Sequence, residues 1–393
     1  MSPVWQISET SSPMPVRHGT VNSNSSPEAL NPMELLNYSY DHLIGFMARQ
    51  YGKRAYHGDA LFRHLYSRGQ LDLKNDPLFD GNPELVSSLE RDFPLNLPLI
   101  RTRQKEGDTL KFTLNLDPEI NCETVLIPMK KYSTLCLSSQ MGCRWNCQFC
   151  ETGKLGLHRN LSTSEIMAQL MTARFALNAD KLRNLVFMGM GEPLENLDAL
   201  MESIDIMTDP RGLNLHAKHI SISTAGYIPG INRLRDLCRE YPHRNYQKLH
   251  LGLSLHSADP ETRSSLMPIN RVYPLDELKK SLLSSPYSQV KDGLYIEYIV
   301  LPGVTDKPEQ IDKLLYFLEG LTAKINLIPY NPGSNPIFRK PEEEEVDRLW
   351  EILNEKGYSC RTRKSRGESV MAACGQLGRR SKPDGKSGQQ LTV

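Results

Sequence analysis

The chain has 393 residues, of which 39% are hydrophobic and 24% charged, with a formal net charge of +1. That is enough apolar material for one large barrel-type domain plus a smaller accessory unit, and it excludes wholesale disorder. The near-zero charge excludes a globally basic nucleic-acid binder, and no stretch nears the roughly 18 apolar residues of a membrane span, so a cytoplasmic location is expected.

Residues 1–27 are rich in Ser, Pro and Asn with little periodicity, which predicts a flexible leader. Residues 28–97 carry helical apolar spacing, with Leu43, Phe46, Met47 and Tyr51 followed by Leu61 and Leu65 and then by Leu85 and Leu89. Basic and aromatic residues interleave there (Arg49, Lys53, Arg54, Tyr56, Arg63, Tyr66 and Arg68). A small helical accessory domain with an RNA-facing side has this composition, and so has any amphipathic helix pair. Over 98–132 the period falls to two, and strands are predicted near 100–104, 111–115 and 123–127, a short β meander.

From 133 to 360, short apolar runs alternate with longer amphipathic ones. Strands are expected near 134–137, 185–188, 220–223, 249–255, 294–300 and 325–328, with helices between them. One helix opens at Ser162, which forms a capping box with Glu165. Such alternation predicts parallel strands with right-handed crossovers, and six strands are too few for a closed eight-stranded barrel. The expected fold class is therefore α/β: a partial (β/α)6 barrel with a small N-terminal helical accessory domain and a β meander. The acidic run 342–345 follows Pro341 and precedes Val346 and Leu349, which places it in the first turn of a helix, where the macrodipole favours carboxylates. The last segment, 361–393, carries eight Lys and Arg against two acids.

After the first barrel strand the chain reads Cys143-Arg144-Trp145-Asn146-Cys147-Gln148-Phe149-Cys150, a CxxxCxxC spacing. In a reducing compartment, cysteines so spaced point to metal or redox chemistry rather than to disulfides. A structural zinc site would need a fourth ligand from elsewhere, whereas a [4Fe-4S] cluster held by three thiolates leaves one iron open for a ligand. The position on a loop at the C-terminal end of a barrel strand favours the cluster. This spacing resembles the radical S-adenosylmethionine (SAM) superfamily, and Gly191-Glu192-Pro193 resembles its GEP motif, whose carboxylate accepts from the SAM ammonium group.

Four further stretches narrow the resemblance: Glu123-Thr124-Val125-Leu126-Ile127-Pro128, Cys136-Leu137-Ser138-Ser139-Gln140, Phe187 to Leu194, and Ala372-Ala373-Cys374-Gly375-Gln376-Leu377. Together they resemble the RlmN and Cfr family of RNA adenine methyltransferases over roughly residues 40–378. The resemblance implies a radical-SAM partial barrel and two SAM per turnover. It also implies a route to a ring carbon that cannot itself attack a methyl group. Cys374 takes a methyl from one SAM; a second SAM, cleaved reductively at the cluster, supplies a radical that removes hydrogen from the S-methyl group; the resulting carbon radical adds to the adenine. Glu123 matches the family's base for the ring proton, and Cys136 matches the thiol that releases product by forming a transient disulfide with Cys374. That exchange requires the two thiols to be neighbours across the fold.

Carried over in the same way, the SAM contacts are Gly191, Glu192, Ser223, Ser254, Leu255, His256 and Asn331, and the cluster ligands are Cys143, Cys147 and Cys150. Cys122, Cys238 and Cys360 match no motif and are expected to be structural. The implied partners are 23S rRNA, with tRNA as a further substrate, and an external electron donor such as flavodoxin or ferredoxin; no membrane is implied. One branch of the family methylates carbon 2 and the other carbon 8, and Arg363-Lys364-Ser365-Arg366-Gly367 looks more like the carbon-2 branch. The chain departs from the family at Glu368-Ser369-Val370-Met371, where an acidic residue, Ile and a second acidic residue are usual, so the shape of the Cys374 loop is open. A non-catalytic iron-sulfur or zinc protein that binds RNA would need the three cluster cysteines but neither Cys374 nor Glu123.

Overall fold

A computed structural model describes residues 34–69, 73–92 and 97–378. The leader expected over 1–27 and the last four basic residues of the tail lie outside the described residues.

The chain forms β1 (Ile100–Glu106), β2 (Thr109–Leu114), β3 (Cys122–Pro128), β4 (Ser133–Cys136), β5 (Gln140–Cys143), β6 (Gly156–Asn160) and β7 (Leu182–Phe187). It continues with β8 (Ile220–Thr224), β9 (His250–Ser254), β10 (Leu294–Val300), β11 (Ala323–Pro329) and β12 (Cys360–Thr362). Ten of these make one sheet in the order β1-β2-β3-β4-β7-β8-β9-β10-β11-β12, and β5 pairs with β6 as a separate hairpin. The expected meander, β1 to β3, is antiparallel and continues into the barrel because β3 also pairs antiparallel with β4. From β4 onward each pair in the large sheet is parallel.

All six predicted barrel strands are present, and β12 is a seventh. It escapes sequence reading because it is three residues long and mostly exposed. A ladder from β11 holds it, and the Trp350 indole N–H donates to Cys360 O at 3.1 Å. Six of the seven residues of β10 are buried, as a central parallel strand covered on both faces demands. At the other extreme β1 is an edge strand, and exposed Arg103 and Lys105 guard it against pairing with another chain.

The capping box is present: Ser162 Oγ accepts from Glu165 N at 3.2 Å, and Glu165 Oε2 accepts from Ser162 N at 2.9 Å. The helix it opens, Thr163–Met171, is buried on every side. The acidic run starts helix Glu343–Glu355, with Glu342 at the cap position and Glu345 returning the bond to it.

The N-terminal unit contains helices Tyr40–Tyr51, Ala55–Arg63 and Pro83–Asp92. Asn37 Oδ1 accepts from Ser164 N, and Glu202 Oε1 accepts from Ser39 N, both at 2.8 Å, which docks the unit on the outer helices of the barrel. Tyr66 lies wholly in the core, so it is not part of an RNA face; Arg49, Arg54, Tyr56, Arg63 and Arg68 are exposed.

Candidate active site

The loop of the three cysteines is built on the hairpin. Cys143 ends β5, Cys150 caps helix Glu151–Lys154, and Cys150 N donates to Cys147 O at 3.0 Å. Gly142 must be glycine: its φ is 78°, and a Cβ there would sit 1.8 Å from the Gly156 carbonyl oxygen across the hairpin.

Cys143, Cys147 and Cys150 line one cavity together with Glu192, His256 and Cys374. Burial pushes the Cys143 thiol up to about 12 and raises those of Cys147 and Cys150 as well, each further influenced by its neighbours, so a metal must displace protons to bind here. Among the described residues no three Cys, His, Asp or Glu groups are gathered round a single metal ion. A tetrahedral zinc draws its thiolates onto one atom, whereas in a cuboidal cluster each thiolate takes its own iron. Three thiols lining one cavity can each take one iron of such a cluster.

Gly191, Glu192, Ser223, Ser254 and His256, expected at SAM, all line this cavity. Glu192 is buried; its carboxylate accepts from Ala225 N at 2.7 Å and from Leu194 N at 3.1 Å. Burial outweighs these donors and pushes its pKa up to about 7. His256 takes a left-handed φ of 59° at the end of β9, and its Nδ1 accepts from Ile299 N at 3.1 Å. Burial, with buried Arg263 nearby, lowers its pKa to about 3, so the ring is neutral with its proton on Nε2. Leu255 departs from expectation: its side chain is wholly buried in the apolar core and lines neither this cavity nor the next.

A second cavity adjoins the first and shares Met188, Ile328, Arg363 and Cys374 with it. Cys136 and Cys374, far apart in sequence, both line it. All eight cysteines are free thiols, and the disulfide expected in turnover is not formed here. Burial pushes the Cys136 thiol up to about 12, Cys374 beside it acts in the same direction, and Arg363 opposes them. Ile127, Met129 and Val186 give this cavity apolar walls, and Lys364 and Arg366 stand on its rim. Asn331 also lines it; the amide donates to Cys374 O at 3.4 Å, and Oδ1 accepts from Ser365 Oγ at 2.6 Å.

The arc 367–378 that carries Cys374 is fixed by hydrogen bonds from several elements. Glu106 Oε1 accepts from Gly367 N at 2.9 Å, Glu151 N donates to Gly375 O at 2.7 Å, and Thr152 Oγ1 donates to Leu377 O at 2.6 Å. Glu123 stands behind the arc with 2% exposure, paired with Lys111, and lines neither cavity. Cys122, Cys238 and Cys360 are buried away from both cavities.

Sequence reading missed Glu297, Lys111 and Arg263. Glu297 lines the first cavity, accepts from Asn326 Nδ2 at 2.8 Å and pairs with Arg363 Nη1 at 3.2 Å. The buried Arg263 guanidinium donates to the Leu255 and Ala225 carbonyls and to Asn270. For Lys111 and Glu297 the available signal was a charge inside an apolar strand, Thr109–Leu114 and Leu294–Val300.

The pattern of the radical SAM superfamily matches residues 137–315. The probable dual-specificity RNA methyltransferase RlmN 1 of Protochlamydia amoebophila is 37% identical over 356 residues, covering 90% of this chain and 97% of that protein. The dual-specificity RNA methyltransferase RlmN of Syntrophobacter fumaroxidans is 39% identical over 328 residues, 83% of this chain and 92% of its own. A radical SAM methyltransferase of Sphaerobacter thermophilus, known as a crystal structure, superposes with a TM-score of 0.76 at 33% identity, covering 87% of this chain and 98% of that one.

Proposed function

Since the chain belongs to the RlmN-type radical SAM RNA methyltransferases, we propose that it methylates carbon 2 of an adenine in 23S rRNA, and in tRNA, through an S-methyl group carried by Cys374. The observation that carries this reading is that Cys374 lies where two cavities meet, one lined by Cys143, Cys147 and Cys150 and the other by Cys136. The enzyme is a radical SAM methyltransferase that uses a [4Fe-4S] cluster and SAM.

Cys143, Cys147 and Cys150 would hold the cluster, which when loaded supplies the electron that cleaves SAM. Glu192 and the Nε2–H of neutral His256 offer an acceptor and a donor to the SAM amino acid group, and Ser223 and Ser254 extend the polar wall. Cys374 Sγ holds the methyl group between SAM and the adenine. The apolar walls of the second cavity take a flat base, with Lys364 and Arg366 towards its phosphates. Glu123 would accept the ring proton as the adduct gives up its unpaired electron to the oxidised cluster; the Cys136 thiolate then attacks Cys374 Sγ, breaking its bond to the methylene carbon, which takes a proton to become the methyl group, and the two cysteines end as a disulfide that an external thiol reduces. An electron donor such as flavodoxin or ferredoxin serves the cluster in the cytoplasm; among the described residues no helix is long and apolar enough to cross a membrane.

We also propose the domain limits: a leader over 1–27, accessory domain over 28–97, meander over 98–132, barrel over 133–360 and the Cys374 segment over 361–393. The test is mass spectrometry of nucleosides from 23S rRNA and tRNA treated with anaerobically reconstituted enzyme, SAM and reductant. The expected product is 2-methyladenosine; 8-methyladenosine would move the chain to the other branch, and no methylated adenosine would end the reading.

A further inference from the structure

Lys111 and Glu123 are charged residues on neighbouring strands, with 1% and 2% exposure. In the antiparallel pairing of β2 with β3, Lys111 faces Val125 and Thr113 faces Glu123, so the two charges are diagonal neighbours on one face of the sheet. Lys111 Nζ lies 3.1 Å from Glu123 Oε1. Cys136 faces Val125 from β4 and shares that side of the sheet.

The arc of Cys374 crosses this face, and the ion pair grips it on both sides of the cysteine. Before it, Lys111 Nζ donates to Met371 O at 3.1 Å. After it, Gly378 N donates to Glu123 Oε2 at 2.6 Å. Met371 takes a φ of 53°, which a residue with a side chain rarely adopts, in a turn closed by Met371 N donating to Glu368 O, and Lys111 holds the carbonyl that this turn presents. A buried ammonium is unfavourable unless its donors find acceptors, and a methionine would fill the same space without needing any. Among the acceptors of Lys111 are a backbone carbonyl of the arc and the carboxylate proposed to take the ring proton.

We infer that Lys111 is a positioning residue for methyl transfer: it fixes the arc of Cys374 and the carboxylate of Glu123 relative to each other, so that methyl carrier and proton acceptor reach the adenine in one register. This rests on the assignment of Glu123 as the base. Glu123 Oε2 is engaged by Gly378 N, so accepting the proton there means exchanging that one bond, while Lys111 retains the carboxylate through Oε1.

The test uses the full-length, cluster-loaded enzyme with SAM and a 23S rRNA transcript, as Lys111→Met, Lys111→Arg and Glu123→Gln. Hydrogen exchange over 371–378 reads the arc, and a denaturing gel reads covalent protein-RNA adduct against released product. In Lys111→Met, exchange over the arc should rise about tenfold or more, and product should fall by about tenfold or more with adduct accumulating, at unchanged iron content. Lys111→Arg should restore most of both, which a space-filling role would not produce. Wild-type exchange or wild-type product release in Lys111→Met overturns the inference. Should that variant fail to fold, Lys111→Met/Glu123→Gln removes the stranded charge together with its partner; rapid exchange in the folded double variant supports the clamp, and wild-type protection overturns it. Glu123→Gln separates this inference from the assignment beneath it: full turnover by that variant removes Glu123 from proton transfer, while arc exchange in the Lys111 variants still decides the clamp.

Discussion

The loop of Cys143, Cys147 and Cys150 and the arc of Cys374 line the same cavity but are held by different means. The cluster loop hangs from the β5–β6 hairpin, whose backbone ladder pairs Gln140 with Asn160 and Cys143 with Gly156. The arc has no strand of its own. It is tied by side chains and backbone groups of β1, β2, β3 and the helix after Cys150, through Glu106, Lys111, Glu123 and Thr152. A ladder fixes a ligand that stays in place, whereas dispersed bonds can be exchanged singly, as the carrier role proposed for Cys374 requires.

The largest effect is expected from breaking the ladder-held side. Cys147→Ala should lose the iron, which wild type should carry at about four per chain, and reduce methylation to background, while hydrogen exchange over 371–378 stays close to wild type. Loss of arc protection in that variant would show that the two regions are one unit.

Cys136→Ala attacks the other side. Its cluster spectrum should be unchanged, but turnover should stall after one addition and leave protein joined to RNA through Cys374, visible as a shifted band on a denaturing gel. With Cys374→Ala added, the band should vanish. Normal product yield from Cys136→Ala alone would return that thiol to a packing role, where its loss costs about 1 kcal/mol.

A third measurement tests the cluster side by pH. Burial raises Glu192 to about 7, and a SAM ammonium beside it favours the ionised form. Below that pH the carboxyl must lose a proton to bind, so the SAM dissociation constant should rise by up to about tenfold per unit as pH falls from 7, and stay flat above it. Glu192→Gln should bind more weakly and remove the slope; a slope that persists would assign it to another group. Smallest is Glu106→Ala at the exposed end of the arc. Exchange over 367–371 should quicken and product formation fall about two- to fivefold, with iron content and the SAM profile unchanged.

What could be read from the chain alone was what is local. The alternating period of 100–127, the six barrel strands, the box of Ser162 with Glu165 and the CxxxCxxC spacing all depend on residues a few positions apart, and each appears in the structure. Glu192 and His256 were expected at SAM only because the motifs that hold them resemble the family's, and both line the first cavity. Tertiary structure decided the rest. β12 exists only because β11 and Trp350 offer it partners. Leu255, just past the end of β9, lies in the apolar core, a placement that its short motif does not specify. Lys111, Glu123 and Met371 meet because strand register sets two charges on one face, and the chain returns to that face near its end. A charge in an apolar strand is visible in sequence, but its partner is not, because burial makes a partner necessary without specifying where along the chain it lies.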